Sequence, residues 1–189
     1  MNDNKWLNTQ RYLTRYDYIL SEMTIQMFPI LTNNITIDFI NCMIPHHQAA
    51  VYMCQNLLNN TNYHPLQQIA NNIIKTQTNG IKQMKQIKRT APYFYNHPKD
   101  INSYIKAYTK ITKTMIYKMQ NSQRSNNINL DFISEMIPHH EGAIYMCHNL
   151  LKYNIDPRLK EIAKNIIKEQ SIGIKQLKKI QTTLYNQNK

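Results

Sequence analysis

Glycine is nearly absent from this chain, with three in 189 residues, and proline is modest at seven. A sheet-rich, turn-rich fold needs more of both, because tight turns draw on glycine for positive φ and on proline for a fixed φ. No run of 18 apolar residues occurs, which excludes a helix that spans a membrane. The three cysteines are an odd number without a paired spacing. No disulfide framework is expected, and the thiols read as reduced. Residues 1 to 10 are polar and contain no apolar h-region, so no secretory signal is expected and a cytoplasmic location follows. Acidic residues are also scarce: 11 against 23 Lys and Arg, for a net charge of +12. Such a surface suits nucleic acid or another anionic partner. Lysine, asparagine and isoleucine enrichment also follows from an AT-rich coding sequence, and aromatic residues interleave with the lysines only near residues 89 to 97. Nucleic acid is therefore the weaker expectation.

What the chain does contain is one unit written twice, over 1–92 and 93–189. Residues 38 to 87 align without a gap with 131 to 180, and roughly three in five are identical. Each unit predicts three helices. The first runs from Lys5 to Phe28, with Tyr12, Tyr16, Ile19, Met23 and Met27 on one face at spacings of three and four. Pro29 ends it, and 32 to 35 form a loop. Thr36 or Asp38 starts the second helix, which reaches about Leu58. His64 caps the third and Pro65 takes its first position. That helix reaches about Lys88 on a stripe of Leu66, Ile69, Ile73, Ile74, Ile81, Met84 and Ile87. The second unit repeats the pattern with Tyr104, Tyr108, Ile111, Met115 and Met119. Asn129 stands as the cap that matches Thr36, and Asp156 caps the last helix, which runs to about Thr183. The expected fold is all-α: two tandem three-helix repeats packed as one domain with pseudo-twofold symmetry. Polar groups on each second helix are then satisfied by its equivalent in the other copy.

The chemistry lies on those second helices. The first reads D-F-I-N-C-M-I-P-H-H-Q-A-A-V-Y-M-C from Asp38 to Cys54. The second reads D-F-I-S-E-M-I-P-H-H-E-G-A-I-Y-M-C from Asp131 to Cys147. At 100° per residue, Phe39, Ile40, Met43, His46, His47, Ala50, Met53, Cys54, Leu57 and Leu58 share a stripe about 140° wide. Asp38, Pro45, Gln48, Tyr52 and Asn56 face away. The second stripe carries Met136, His139, His140, Met146 and Cys147 at matching places. Adjacent imidazoles inside an apolar stripe are costly without partners, and here the pair occurs twice. A methionine stripe by itself is ordinary packing, and Met23, Met27, Met115 and Met119 read mainly that way. Cys54 and Cys147 alone would read as small buried hydrophobes.

Four imidazoles framed by four thioethers and two thiols point to a soft metal. Thioether and thiolate favour Cu(I), imidazole accepts copper, zinc or nickel, and hard ions want the carboxylates these stripes lack. Zinc stays open through His and Cys, although C-x-x-C spacing is missing. Neutral imidazole is the binding form, so affinity is expected to fall below about pH 6. Pro45 and Pro138 precede the histidine pairs and should bend the helix there. Gln77 and Gln170 could orient the imidazoles, while Gly80 and Gly173 suggest close helix approach. His64, His97 and His148 read as cap, linker and surface residues, and Lys75, Lys82 and Lys85 as a solvated face.

At these residues the chain resembles the bacterial family known as domain of unknown function 305, whose hallmark is M-I-x-H-H-x-x-A-x-x-M. Here that reads M-I-P-H-H-Q-A-A-V-Y-M from Met43 and M-I-P-H-H-E-G-A-I-Y-M from Met136. A later Gln-x-x-Glu-Ile-x-x-Met pattern reads Gln77, Gly80, Ile81, Met84 and Gln170, Gly173, Ile174, Leu177, with glycine where the family often has Glu. The resemblance implies a ferritin-like helical bundle. It also implies binding of copper or silver through Met43, His46, His47, Met53, Met136, His139, His140 and Met146. Cys54 and Cys147 are not part of the family motif and are this chain's own candidates. The reading is a non-enzymatic Cu(I) or Ag(I) handling protein, with the metal ion, a delivery protein and a second copy as candidate partners. A basic binding module and a metal-dependent redox protein are the alternatives. The sequence marks no acid–base pair for the latter.

Overall fold

The computed structural model describes residues 3–28 and 31–187. Six helices follow in order: α1 (Asp3–Gln26), α2 (Ile35–Leu58), α3 (His64–Thr90), α4 (Pro98–Gln120), α5 (Ile128–Leu150) and α6 (Pro157–Gln187). With no strand among the described residues, the fold is an all-α bundle. Within each half, the second helix packs most extensively on the third, and the first packs on the second. The halves meet through α2 with α5, α3 with α6, and a small α1–α4 contact. One cluster of buried apolar side chains runs through both halves. The face predicted for α1 is buried from Tyr12 to Met27, and α4 matches it except for half-buried Ile111. Pro29, expected to end the first helix, lies outside the described residues. None of the described helices is long and apolar enough to cross a membrane.

The predicted starts of α2 and α5 are corrected. Asn34 caps α2 by accepting the Ile37 N–H, and Asn127 caps α5 by accepting the Asn129 and Leu130 N–H groups. Each cap follows an asparagine with positive φ, Asn33 at 60° and Asn126 at 57°, a conformation asparagine tolerates well. Thr36 and Asn129, two residues further in, face the other half instead. The Thr36 hydroxyl accepts the Asp156 N–H at 3.1 Å, and Asn129 Oδ1 accepts the Thr61 hydroxyl at 2.6 Å. Asp38 and Asp131 also have a different role from dipole partner alone. Asp38 Oδ1 accepts the Thr32 N–H and hydroxyl at 2.7 and 2.8 Å, and Asp131 does the same with Ser125 at 2.6 and 2.7 Å. A repeated Thr/Ser-Asn-Asn-Ile segment thus folds each loop onto its helix. In α3 the cap is Tyr63, with His64 already helical. At α6, Asp156 accepts the Arg158 N–H at 2.8 Å, the capping bond expected there.

The central position of α2 and α5 explains a second correction. Asp38, Pro45 and Asn56 do not face solvent but are buried, and among the residues assigned to that face only Tyr52 is exposed and Gln48 half-buried. With α1 and α5 covering what α3 leaves, α2 has almost no free face. Its polar groups are answered locally: Asn56 Nδ2 donates to the Tyr12 carbonyl at 2.9 Å, and Asn149 Nδ2 to that of Tyr104 at 3.1 Å.

Two tyrosines tie the halves together. Tyr16 donates its hydroxyl to the Met119 carbonyl at 3.1 Å, and Tyr108 to the Met27 carbonyl at 2.7 Å. The Met119 carbonyl also accepts the Ser122 N–H. Tyr108→Phe should lower the unfolding free energy by about 1 kcal/mol and Tyr16→Phe by less, because the Tyr108 bond is the shorter and the Met119 carbonyl keeps its Ser122 donor. Urea titration of the two variants checks the order, and equal losses would contradict it.

Candidate metal centre

The α2 and α5 helices run unbroken through Pro45 and Pro138, so neither histidine pair marks a helix start. This register carries all four rings into the interior: His46 and His139 are fully buried, and His47 and His140 are 2% exposed. His46 of α2 and His139 of α5 stack with centroids 3.7 Å apart and planes 27° apart. Each lies tilted to its neighbour, His47 at 6.1 Å and His140 at 5.9 Å. His139 Nε2 sits 3.1 Å from the His46 carbonyl and, carrying its proton there, donates to it. The equivalent second helices thus meet through their histidines.

His47 and His140 point outward from that stack, toward α3 and α6. A Cβ added at Gly80 would stand 3.0 Å from His47 Cδ2 and 3.1 Å from its Nε2. One at Gly173 would stand 3.0 Å from both of those atoms of His140. The close approach expected at the two glycines is real, and the imidazole edge fills the place of a side chain. Gln77 and Gln170, one turn earlier, are buried at 3% and 4% exposure. Both of their Oε1 atoms lack a hydrogen-bond partner, so neither glutamine accepts an imidazole N–H as the sequence suggested one could. The ring atoms His46 Nδ1 and Nε2, His47 Nδ1, His139 Nδ1 and His140 Nδ1 are likewise buried without a partner.

The soft-ligand candidates are buried on the same two helices and belong to the same core. Met43, Met53, Met136 and Met146 are all 1% exposed or less, as are Cys54 and Cys147. Met146 Sδ accepts a weak bond from the Thr112 hydroxyl at 3.9 Å. Burial pushes both thiols well above the ordinary cysteine range, so they stand protonated. Among the described residues, no three His, Cys, Asp or Glu side chains form a group that could hold a metal ion. The donor set still fits a soft cation: five unpartnered imidazole nitrogens in a thioether-rich interior.

The stripes themselves hold no carboxylate, but one is buried beside them. Glu135 is 1% exposed, one turn before His139, and its Oε2 accepts the Tyr12 hydroxyl at 2.6 Å. Desolvation holds its carboxyl well above the usual range despite that bond. Its counterpart is Cys42, a buried thiol pushed up to about 11. The stripe read from the sequence gives Glu135 no place in the core. Helical spacing of four from His139 was the available signal. His64 and His148 are exposed, and exposed His97 caps α4 by accepting the Lys99 N–H.

Burial holds every ring of the cluster neutral. His46 and His140 lie well below the ordinary imidazole value, His139 falls to about 4 and His47 to about 3, all chiefly by desolvation. Proton competition in the folded protein thus begins well below the pH 6 expected from free imidazole. The unfolded chain takes up protons as pH falls through about 6.5, which the fold resists. The stability involved is full above that value and drains away toward pH 4 and below. Each ring contributes about 1.4 kcal/mol per pH unit in that window. Glu135, protonated in the fold, favours the acidic side, but as one group against four. Calorimetry of metal-free protein should show Tm falling steadily between about pH 6.5 and 4.5. His46→Gln with His139→Gln should flatten the fall, and an unchanged slope would contradict the assignment.

Two comparisons place the chain among known proteins. The profile of the family described as "Domain of unknown function (DUF305)" matches residues 19–88 and 98–181, one segment in each half. A crystal structure of a DUF305 fragment from Deinococcus radiodurans is similar in fold, with a TM-score of 0.56 at 18% identity. The likeness covers 82% of this chain and 99% of that one. No curated protein matches the chain. The matched segments take in both histidine motifs and all six helices in whole or part, and on that ground the chain belongs to the DUF305 family.

Proposed function

We propose that the protein binds a soft metal ion, Cu(I) first and Ag(I) next, and holds or passes it on without catalysing a reaction on it. The observation that carries this reading is the set of four buried imidazoles, five of whose nitrogens have no partner. A buried polar atom left unsatisfied costs about 1–3 kcal/mol, so a core with five of them is poorly explained by stability alone. A metal ion is the one small species that accepts several neutral imidazoles as donors at once. The thioethers of Met43, Met53, Met136 and Met146, buried on the same two helices, favour a soft ion over a hard one. Cys54 and Cys147 are protonated in the resting fold, so their service as ligands would release a proton. Histidine and methionine form the primary set in this reading, with the thiols behind them.

Zinc is the weaker cargo, because it would draw on carboxylate, thiolate and imidazole together. Glu135 is tied to Tyr12, and the thiols are protonated.

Competition for Cu(I) against a chromogenic chelator tests the proposal. Wild type should take Cu(I) from the chelator, and the variant with His46, His47, His139 and His140 all replaced by Ala should not. Unchanged uptake in that variant would overturn the reading. Should it fail to fold, His46→Ala alone should weaken binding by at least about tenfold, equivalent to about 1.4 kcal/mol. Tm should also rise with Cu(I), by the equivalent of about 2.7 kcal/mol at a free concentration one hundred times Kd.

A further inference from the structure

The buried cluster needs a way in, and one cavity reaches it. A cleft of about 360 Å³ opens between α3 and α6, with His47, Gln77, Asn79, Gly80, Glu169 and Gln170 in its wall. Three further cavities lie in the α1–α2 groove, the α4–α5 groove and the far end of the α3–α6 contact, and none touches a histidine. The cleft exists at this depth because residue 80 is glycine. A side chain there would stand 3.0 Å from the imidazole of His47. Gly80 faces the Nε2 edge of that ring, so this is the nitrogen nearest the opening.

Two further features point to a cation. The Oε1 atoms of Gln77 and Gln170 are buried in the cleft wall and accept no hydrogen bond. Each is a carbonyl dipole with nothing to answer it, and the two come from equivalent positions of the two halves. At the rim stands the exposed carboxylate of Glu169, which takes part in none of the ion pairs among the described residues. On a chain of net charge +12, cations are repelled from most of the surface, and a free carboxylate marks a local exception.

We infer that the α3–α6 cleft is the port by which the cation cargo reaches and leaves His47, with Glu169 drawing it in and the Gln77 and Gln170 carbonyls holding it in passage. This rests on the metal-binding reading above and adds the route. The order of donors gives the route a direction. Oxygen donors hold a soft cation weakly, whereas imidazole and thioether hold it well, so each step inward is downhill. Weak outer donors also keep cargo from being trapped at the mouth. The bond changes balance simply: the ion exchanges water for carboxylate and amide oxygen, then those for imidazole nitrogen, with no change of oxidation state.

Loading kinetics test the port separately from the site. Cu(I) is supplied as its bicinchoninate complex, and the loss of colour is followed by stopped flow against apo-protein concentration. Asn79→Trp plugs the exposed rim and should slow loading by at least about tenfold. Glu169→Gln keeps the shape and should slow it roughly threefold at low salt, with the difference fading at high salt. Both should leave Cu(I) stoichiometry and equilibrium affinity unchanged. Gln48→Trp, in the α1–α2 groove, should load as wild type. Wild-type loading rates in both rim variants, with tight binding retained, would overturn the port and leave the metal-binding reading standing. An absence of Cu(I) binding in wild type would overturn both.

Discussion

His46 and His139 stack at 3.7 Å between α2 and α5, and the arrangement around them follows from keeping neutral imidazole there. Two charged rings at that distance, out of water, would repel strongly, so the contact requires both to stay unprotonated. It also requires α2 and α5 to be covered on nearly every side. That demand reaches the third helices, where only glycine at 80 and 173 lets the backbone close over the edges of His47 and His140. It reaches the ends of the motif helices too. Asp38 and Asp131, now buried, must fold their own loops against themselves through Thr32 and Ser125. Burial of one polar group thus leads to the burial, and the local satisfaction, of the next.

The two halves repeat this scheme but differ in one place. Tyr12 reaches from the first half to Glu135 of the second, forming a buried phenol–carboxyl pair. In the mirrored position Tyr104 has no partner for its hydroxyl, and Cys42 stands where the carboxyl would be. Burial favours the protonated form of Tyr12, Cys42 and Glu135 alike. The exchange of carboxyl for thiol still makes the halves chemically distinct one turn before the histidines. The duplication therefore holds two unequal sides around one histidine stack.

Much of this was legible in the sequence. The duplication, the six helices and the inward placement of His46, His47, His139 and His140 follow from periodicity, because apolar spacing and register are local properties. The close approach at Gly80 and Gly173 was legible for the same reason: glycine in a helix interior is unfavourable unless something occupies its side-chain space. What escaped were facts about neighbours. A single-helix projection assigned Asp38 and Asn56 to a free face, but α2 has almost none, and no projection of one helix can register how many helices surround it. Thr36 and Asn129 look like caps by residue type, yet their partners are Asp156 and Thr61, in the other half of the chain. Glu135 lies off the apolar stripe of its own helix, and its partner Tyr12 lies 123 residues away. The Asn33–Asn34 and Asn126–Asn127 pairs could have been found, since they recur at the same offset and asparagine tolerates both positive φ and the capping role.

The unpartnered nitrogens connect stability with binding. A metal-free fold that leaves five imidazole nitrogens unanswered is less stable than one with an apolar core of the same volume, by about 1–3 kcal/mol for each orphan that finds no water. That deficit resides at the site and is relieved by whatever coordinates those atoms. Binding free energy at such a site is spread over the whole bundle, because the same rings join α2 to α5 and press against α3 and α6. Opening the stack to admit an ion would also loosen the contact between the halves. Other ties are then made by Tyr12, Tyr16, Tyr108, Thr36 and Thr61, with the Arg124–Asp17 and Arg158–Thr90 contacts at the surface. These bonds hold the halves in register without constraining the rings. The fold thereby separates the bonds at the helix ends from the histidines at the centre, which are the groups that change partners under the proposed function.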